Sequence, residues 1–264
     1  MRYFFISDVH GQFNLMVKAL EDAGFDMEKD TLVHVGDAFD RGPQSKEVLH
    51  YFLKCPNRIL IAGNHDLRLK DLVLRKDFIA QYDFYNGVPA TIKSFCGWQT
   101  EFSGDINLGL MEMSEDPELR QYWRELCYAI EFPDLIATHA WLPTREVEYK
   151  PHYYILELDP DWRTIKNKDV WYDATWVNTE MICRRKLFPD KKILVGHFHA
   201  WRIAEHYMEK RYTDRNAAHP QIDCSTFEYK DKAIFIDGMS NYEKGGKVNV
   251  YIYESAEKPI IYNL

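Results

Sequence analysis

Five short apolar runs along the chain each end in residues that commonly bind metal ions. Each run is β-branched or aromatic-rich and has the length of a buried strand. Because parallel strands of an open sheet place their carboxyl ends at one edge, the five run ends can meet there although they span most of the chain. The runs and their ends are Tyr3–Ser7 with Asp8 and His10, Thr31–Val35 with Asp37 and Asp40, Ile59–Ala62 with Asn64 and His65, Leu135–Thr138 with His139, and Ile193–Val195 with His197 and His199.

Apolar residues at helical spacing follow the first three runs. We predict helices over Phe13–Ala23, Ser45–Leu53 and Leu67–Arg75, and a further helix over Pro117–Ala129. Three repeats of strand, polar motif and helix indicate β-α-β units and a parallel sheet. The end of the chain contains several strand patterns with turns between them, which suggests a second sheet packed on the first. The sequence therefore predicts an α/β fold.

The 264 residues contain no internal repeat or low-complexity linker, so we predict a single domain over 1–264. A helical and aromatic insertion is expected at about 77–176. Core and lid packing is the simpler interpretation of its aromatic side chains, and stacking on a nucleobase is the alternative. The aromatic residues in question are Trp141, Tyr149, Tyr153, Tyr154, Trp162, Trp171, Tyr172 and Trp176.

Composition and charge narrow the choice of partners. The formal net charge is −8, which gives no support for a nucleic-acid partner. No apolar run approaches the roughly 18 residues that a membrane crossing requires. The chain starts with a strand pattern that reaches Asp8 at once, and its five cysteines are dispersed. We therefore expect a cytoplasmic protein without a membrane partner, whose oligomeric state the sequence does not determine.

The residues at the run ends form a ligand set of oxygen and imidazole donors without thiolate. Such a set suits a pair of divalent metal ions, with manganese as the first expectation and iron, zinc or magnesium as alternatives. A carboxylate has two oxygens, so Asp37 can bridge both ions. Two ions a few ångströms apart can generate a bridging hydroxide and hold the oxygens of an in-line displacement at phosphorus. This chemistry requires a phosphorylated substrate, either a phosphoprotein or a nucleotide.

Three further residues have predicted roles in handling the substrate. His65 stands beside the proposed ligand Asn64 and is predicted to protonate the leaving oxygen as a general acid. Asp40 is predicted to hold the other nitrogen of His65, and Arg41 to bind phosphate oxygens with its planar guanidinium. Each motif alone also has a structural interpretation, such as a helix cap for Asp40 or a core imidazole for His139. The joint occurrence of all five favours the metal site.

The ordered motifs resemble those of the calcineurin-like metallophosphoesterase superfamily. Asp-x-His, Gly-Asp-x-x-Asp-Arg-Gly, Gly-Asn-His-Asp, a single His and Gly-His-x-His begin at Asp8, Gly36, Gly63, His139 and Gly196. The second and third motifs resemble the Ser/Thr protein phosphatase branch, which includes bacterial symmetrical diadenosine tetraphosphatases. The resemblance implies two stacked mixed β-sheets flanked by helices, an α/β/β/α sandwich.

The same resemblance assigns the site residues. It implies one metal held by Asp8, His10 and Asp37, and a second held by Asp37, Asn64, His139 and His197. It leaves His199 open, either as a further ligand or as a residue that supports one. Two departures are visible: the second histidine in the last motif, and the lack of a phosphate-binding arginine between Trp171 and Asn178.

Three functions follow from these patterns. The first expectation is a metal-dependent phosphoesterase that hydrolyses a phosphomonoester, in the manner of a Ser/Thr protein phosphatase, by direct attack of the bridging hydroxide. The alternative is a dinucleoside polyphosphate hydrolase, which Gly63–Leu69 favours. The third is a non-catalytic scaffold of the same fold, which the complete ligand set argues against. No glycine-rich phosphate loop of the nucleotide-binding type is present.

Overall fold

The computed structural model describes residues 1–75, 78–99, 105–180, 185–207, 222–241 and 245–264, without the side chains of 153 and 154. Within them, twelve strands are β1 Arg2–Ile6, β2 Thr31–Val35, β3 Arg58–Ile61, β4 Leu126–Glu131, β5 Leu135–Thr138, β6 Thr144–Lys150, β7 Tyr153–Leu158, β8 Lys192–Val195, β9 Phe227–Tyr229, β10 Ala233–Phe235, β11 Tyr251–Glu254 and β12 Ile260–Asn263. The helices are α1 Phe13–Asp22, α2 Ser45–Lys54, α3 Asn64–Lys70, α4 Gln81–Tyr85, α5 Val88–Cys96, α6 Ile106–Glu115, α7 Pro117–Glu125, α8 Lys168–Ala174 and α9 Ala200–His206, with a π-helical turn at Asp71–Arg75 and a 3₁₀ turn at Trp162–Thr164.

Ten of these strands form one hydrogen-bonded sheet. Its order is β11-β1-β2-β3-β4-β5-β8-β10-β9, with β12 added beside β4, while β6 and β7 form a separate hairpin. The strands β1, β2 and β3 are parallel to one another, and so are β5, β8 and β10. The carboxyl ends of five of these six strands, all except β10, carry the predicted site residues, as the topology of parallel strands requires.

The two halves of the sheet face each other across a common core. Phe5, Val33 and Ile61 from the first half belong to the same buried cluster as Leu135 and Leu194 from the second half. The halves remain connected because β3 and β4 share two residue pairs, Leu60 with Leu126 and Ile61 with Cys127. The predicted α/β sandwich is therefore confirmed, with its two sheets joined into one curled sheet.

Helices cover the outer faces through amphipathic surfaces. In α2, Val48, Leu49 and Phe52 are buried at helical spacing against the core. The helix α7 starts with Pro117 after Asp116, whose carboxylate accepts the amides of Glu118 and Leu119. The helices predicted at 13–23, 45–53 and 67–75 are all found, the last as α3 followed by the π-helical turn.

One predicted helix extends too far. The prediction over Pro117–Ala129 is wrong beyond Glu125, because β4 begins at Leu126. All six residues of β4 are buried, so both faces of this segment pack against protein. A continuous buried run does not distinguish helix from strand by its periodicity, and its pairing with β3, β5 and β12 decides the outcome here.

The range 77–176, predicted as an insertion, contains both peripheral elements and strands of the main sheet. Its described part contains α4–α8 and the β6–β7 hairpin, and it also contains β4 and β5 of the main sheet. Trp141, Trp162 and Trp171 are buried, which agrees with core packing, whereas Trp176 is 42% exposed. In the part of the chain that the structure describes, no helix combines the length and apolar character needed to cross a bilayer.

Candidate metal and phosphate site

The predicted site residues follow the carboxyl ends of the parallel strands. Asp8 and Asp37 each stand two residues beyond the end of β1 or β2, and Asn64 starts α3 after β3. His139 follows β5 directly, and His197 stands two residues after β8. The backbones of the first two motifs are tied together, since the Asp8 amide donates to the Gly36 carbonyl at 2.9 Å and the His10 amide donates to the Asp37 carbonyl at 3.0 Å.

Several predicted site residues have a backbone conformation in the left-handed region. Among the residues described, ten that are not glycine have a positive φ, and six of them are predicted site residues. Such conformations cost free energy for residues with a side chain and cluster at functional sites. They turn the side chains of successive residues toward one point. The six are Asp8, His10, Asp37, Asp40, Arg41 and His197, with φ between 46° and 69°.

The Asp37 carboxylate lies at the centre of the cluster. Its Oδ2 is 3.7 Å from Nε2 of His10 and 4.0 Å from Nε2 of His65, while its Oδ1 is 3.4 Å from Nε2 of His139. Two groups of possible ligand atoms, each within 4.8 Å of one another, share this carboxylate: one with His10 and His65, the other with His139 and His197. The two oxygens thus face different sets of imidazoles.

The geometry around His139 tests whether a cation fits. The Nδ1 of His139 lies 2.9 Å from the Val35 carbonyl, an acceptor, so it carries a proton and leaves Nε2 with its lone pair. That lone pair faces Oδ1 of Asn64 at 3.0 Å and Oδ1 of Asp37 at 3.4 Å. Three acceptors converge with no proton to share between them. A divalent cation with nitrogen and oxygen ligands fits this arrangement.

The Arg41 guanidinium lies where the lone pairs of two further imidazoles, those of His10 and His65, converge. The His10 Nδ1 donates to the Phe39 carbonyl at 2.8 Å, so its Nε2 accepts from Nη1 of Arg41 at 2.7 Å. The other guanidinium nitrogen, Nη2, lies 3.1 Å from Nε2 of His65. The guanidinium therefore takes a position where two buried imidazoles offer their lone pairs to a cation. Arg41 lies where the sequence predicts a phosphate-binding group.

His65 and Asp40 form the predicted pair. The His65 Nδ1 donates to Oδ2 of Asp40 at 2.7 Å, and both side chains are buried. The other carboxylate oxygen of Asp40 accepts the Thr91 hydroxyl at 2.9 Å, while the Asp40 amide donates to the Thr91 hydroxyl oxygen at 2.8 Å. Thr91 thus fixes the carboxylate that fixes His65. The sequence motif contains no sign of this third member, which comes from α5.

Asp8 and His199 lie beside the cluster rather than within it. The Oδ2 of Asp8 accepts the His197 amide at 3.0 Å. Asp8 belongs to neither of the two three-residue groups around Asp37, and the same holds for His199. The Nδ1 of His199 lies 3.7 Å from Oδ2 of Asp237. The structure therefore brings His10, Asp37, Asn64, His65, His139 and His197 into direct contact range, and places Asp8 and His199 beside them.

Asp237 is a site residue that the sequence reasoning missed. It is buried, and it follows β10 by two residues, as Asp8 follows β1. The same signal, an apolar run that ends in a metal-binding side chain, would have found it at Ala233–Ile236. Its charge matters to the site because burial, the Asp237 carboxylate and the Asp37 carboxylate raise the pKa of Asp8 well above its ordinary value.

Asp66 is the second residue that was missed, although its motif was recognised. Its carboxylate accepts the backbone amides of Asp37 at 2.8 Å, Ala38 at 3.1 Å and Gly63 at 2.9 Å. These three bonds join the loop after β2 to the start of α3. Burial and the Asp37 charge raise the pKa of Asp66 to about 7, while the three amides oppose the rise. Asp66 positions Asp37 through its backbone.

Burial favours the neutral form of two imidazoles of the cluster, those of His10 and His197. Burial, with Arg41 and His65 nearby, lowers the pKa of His10 well below its ordinary value. Burial and the neighbouring His139 lower the pKa of His197 to about 3. His65 differs, since burial lowers its pKa but the Asp37 and Asp40 carboxylates raise it above the ordinary value. Neutral imidazoles bind metal ions, whereas a raised pKa suits a proton donor.

Close packing explains one glycine of the motifs. A Cβ at Gly63 would lie 2.1 Å from Oδ1 of Asp37 and 2.4 Å from the Asp37 amide nitrogen. No side chain fits there without moving the central carboxylate. The glycine therefore allows α3 to start against Asp37 and to bring Asn64 and His65 into the cluster.

Comparison with curated proteins gives short matches to enzymes of one name. A symmetrical bis(5'-nucleosyl)-tetraphosphatase of Buchnera aphidicola subsp. Baizongia pistaciae is 40% identical over 70 residues, which is 26% of this chain and 25% of that protein. The enzyme of the same name from Hamiltonella defensa is 44% identical over 70 residues, 26% of each chain. The matched part thus spans about a quarter of the length of these relatives.

Comparison with solved structures and family models covers much more of the chain. A chain described as a candidate diadenosine tetraphosphatase superposes with a TM-score of 0.53 at 18% identity, over 99% of this chain and 93% of that one. A cold-active protein-tyrosine phosphatase of a psychrophilic Shewanella gives 0.51 at 15% identity, over 94% and 74%. These likenesses concern the fold. The family model for calcineurin-like phosphoesterases matches residues 1–235, and the chain therefore belongs to the calcineurin-like phosphoesterase family, a family of phosphate-ester hydrolases.

Proposed function

We propose that this protein hydrolyses dinucleoside polyphosphates symmetrically, releasing two nucleoside diphosphates from a dinucleoside tetraphosphate. The observation that carries the proposal is the pairing of the His65–Asp40–Arg41 group with an Asp37-centred ligand cluster, in a chain whose curated relatives are symmetrical bis(5'-nucleosyl)-tetraphosphatases. The relatives match only about a quarter of their length, so the substrate is inferred from likeness together with the chemistry of the site.

The residues of the cluster are proposed to hold two divalent ions. We propose that Asp8, His10 and Asp37 hold one ion, that Asp37, Asn64, His139 and His197 hold the other, and that Asp37 is shared. His199, beside Asp237, is proposed to support the first ion. When bound, such ions supply Lewis acidity toward a phosphoryl oxygen and toward water. Oxygen and imidazole donors are compatible with manganese, iron, zinc or magnesium, and we propose manganese.

Arg41 and His65 are proposed to act on the substrate itself. In the structure, Nη1 and Nη2 of Arg41 donate to two imidazole nitrogens, which a phosphate oxygen can replace as acceptors. Release of Nη2 from His65 leaves Nε2 free to carry a proton. Because Nδ1 is held by Asp40, that proton sits on the nitrogen that faces the cluster. His65 can then protonate the leaving phosphate oxygen.

The comparisons favour the dinucleotide over the phosphomonoester expected first. The curated relatives carry the tetraphosphatase name, and none of the likenesses described above supports a Ser/Thr protein phosphatase specifically. The segment Trp171–Asn178 also has no arginine at the position where the protein phosphatases bind the terminal phosphate. A substrate anchored at both ends depends less on that contact, since the nucleoside groups contribute to binding.

Product analysis tests the proposal. Diadenosine tetraphosphate, a phosphoserine peptide and p-nitrophenyl phosphate are each incubated with the protein and Mn²⁺, and the products are separated by anion-exchange chromatography. The proposal expects adenosine diphosphate as the sole nucleotide product and a higher kcat/KM for the dinucleotide than for the other two. Release of adenosine monophosphate with adenosine triphosphate would reject symmetrical cleavage. Preferential hydrolysis of the phosphopeptide would instead support a phosphomonoesterase of the Ser/Thr protein phosphatase type.

A further inference from the structure

A cavity of about 340 Å³ lies outside the site, between α3 with its π-helical continuation and α8. Its volume is in the range of pockets that bind small molecules. Apolar and aromatic side chains form part of its wall, and charged side chains form the remainder. The side chains that matter here are Leu67, Lys70, Leu74, Arg75, Lys168 and Tyr172.

Two ammonium groups of this cavity lack a carboxylate partner in the described structure. Neither Lys70 nor Lys168 makes an ion pair with another described residue, whereas Arg75 pairs with Asp71 at 3.1 Å. Burial and the charge of Lys168 lower the pKa of Lys70. Among the side chains that line the cavity, three are cationic and two, those of Asp71 and Asp169, are carboxylates. In a chain of net charge −8, this local excess of positive charge favours an anion.

The remaining wall suits an apolar, flat group. Tyr172 lines the cavity and has its ring centroid 6.4 Å from that of Trp176. Tyr128, which also lines the cavity, is stacked on Trp171 with centroids 5.1 Å apart and an interplanar angle of 9°. Aromatic rings offer stacking surfaces for nucleobases, and ammonium groups bind phosphate oxygens. A nucleotide combines both requirements.

The helix α3 connects this cavity to the proposed site. Asn64 and His65 begin the helix within the ligand cluster, and Lys70 ends it at the cavity. At a rise of 1.5 Å per residue, the six steps from Asn64 to Lys70 span about 9 Å. A polyphosphate chain can cover that separation. A separation of that size is within the length of a polyphosphate chain and exceeds that of a small phosphate ester bound at the cluster.

We infer that the cavity between α3 and α8 binds the nucleotide half of a dinucleoside polyphosphate that lies farther from the ligand cluster. This inference rests on the proposed function and adds a binding site to it. Lys70 and Lys168 would contact phosphate oxygens, and Tyr172 would pack against the base. Neither lysine touches the reacting phosphorus, so the pair determines substrate choice rather than the chemical step.

Binding of adenosine diphosphate in the presence of a chelator tests the site without the metal centre. We compare the wild-type protein with the double variant Lys70→Met/Lys168→Met and with the control Lys18→Met, whose lysine is exposed on α1. The inference expects saturable binding to the wild type and the control, and an affinity at least about tenfold weaker for the double variant. Equal affinity of all three, or no binding to the wild type, would overturn it.

Thermal unfolding and turnover complete the test. The two ammonium groups repel each other, so the double variant should melt at the wild-type temperature or slightly above it; a lower melting temperature would indicate a structural role and count against the inference. Its kcat/KM should fall at least about tenfold on diadenosine tetraphosphate and stay unchanged on p-nitrophenyl phosphate. A wild type that never cleaves the dinucleotide rejects the proposed function as well. A wild type that cleaves it, with the double variant equally active, rejects only the cavity.

Discussion

Two buried carboxylates at different edges of the sheet have opposite surroundings. Glu131, at the end of β4, is 4% exposed and lies 2.8 Å from Nη2 of Arg163 and 2.7 Å from Nζ of Lys191. Asp37, after β2, is 2% exposed and faces the imidazoles of His10 and His139. Glu131 thus has permanent cations as neighbours, whereas the groups closest to Asp37 gain a positive charge only by binding a proton.

The different surroundings of Glu131 and Asp37 suggest different roles, one in stability and the other in function. Arg163 and Lys191 compensate the Glu131 charge within the protein itself, and Tyr262 donates a further hydrogen bond at 2.5 Å. Around Asp37, by contrast, Nε2 of His10 and Nε2 of His139 present lone pairs, so these two imidazoles do not compensate its charge. We therefore expect changes at Asp37 to affect metal content and turnover, and changes at Glu131 to affect the free energy of unfolding.

The largest effect is expected for Asp37→Asn. The amide keeps an acceptor for the His65 backbone N–H, which Oδ1 now accepts at 3.0 Å, so the fold should persist. The substitution removes the charge of the proposed shared ligand, so the content of both metal ions should fall, and kcat/KM should drop on the order of 10³-fold or more. Metal analysis by mass spectrometry with a turnover assay measures both. Full metal content with full activity would show that Asp37 is not the shared ligand.

The next effect is expected for His65→Asn. If His65 is the proton donor, as proposed, its loss should lower turnover by about 10²-fold on alkyl phosphates and by less on aryl phosphates, whose leaving groups need little protonation. Metal content should stay at the wild-type level, in contrast to Asp37→Asn. Thr91→Val serves as a companion variant, because it removes only the hydroxyl that holds Asp40. Its turnover should fall less than that of His65→Asn. Equal losses on both ester types would argue against proton donation by His65.

A smaller effect of another kind is expected for Glu131→Gln. The neutral amide leaves Arg163 and Lys191 without their buried partner, so the free energy of unfolding should fall by about 2 kcal/mol. Turnover per folded molecule should not change, because β5 and β8 begin near Glu131 and reach the site at their other ends. Chemical denaturation and the turnover assay measure the two quantities. A loss of turnover without a loss of stability would show that Glu131 acts in the reaction rather than in holding the fold.

The smallest effect concerns the acid range. Burial raises the pKa of Glu131, but hydrogen bonds from Arg163, Lys191 and Tyr262 outweigh it and lower the pKa to about 2. A carboxylate whose pKa is lower in the folded state stabilises the fold fully above its unfolded value and loses this contribution as the pH falls. The stability difference between wild type and Glu131→Gln should thus be constant above about pH 5 and shrink from there toward pH 2. A difference that grows on acidification would contradict the assignment.

Much of the site could be predicted because it is encoded locally. Each of the motifs at Asp8, Asp37, Asn64, His139 and His197 follows a strand directly, so the parallel topology alone brings them to one edge. Thr91 could not be predicted in the same way, because its contact with Asp40 spans 51 residues of sequence and depends on how α5 packs. The error at Leu126 has a related cause, since burial on both faces removes the periodicity that separates helix from strand.

The burial of individual aromatic residues could not be predicted from the sequence either. Trp162, Trp171 and Trp176 are equivalent as sequence letters, and only packing distinguishes the two buried rings from the exposed one. The cavity between α3 and α8 left no sign in the sequence, because Lys70 and Lys168 are 98 positions apart and belong to no motif. Charge clusters formed by distant residues require the fold.

The most direct test of the account is anomalous diffraction from crystals grown with Mn²⁺. We predict two peaks at the carboxyl edge of the sheet, one on each side of the Asp37 carboxylate, and none beside Glu131. A single peak remote from Asp37, or no peak at all with Arg41 still hydrogen-bonded to both His10 and His65, would contradict it.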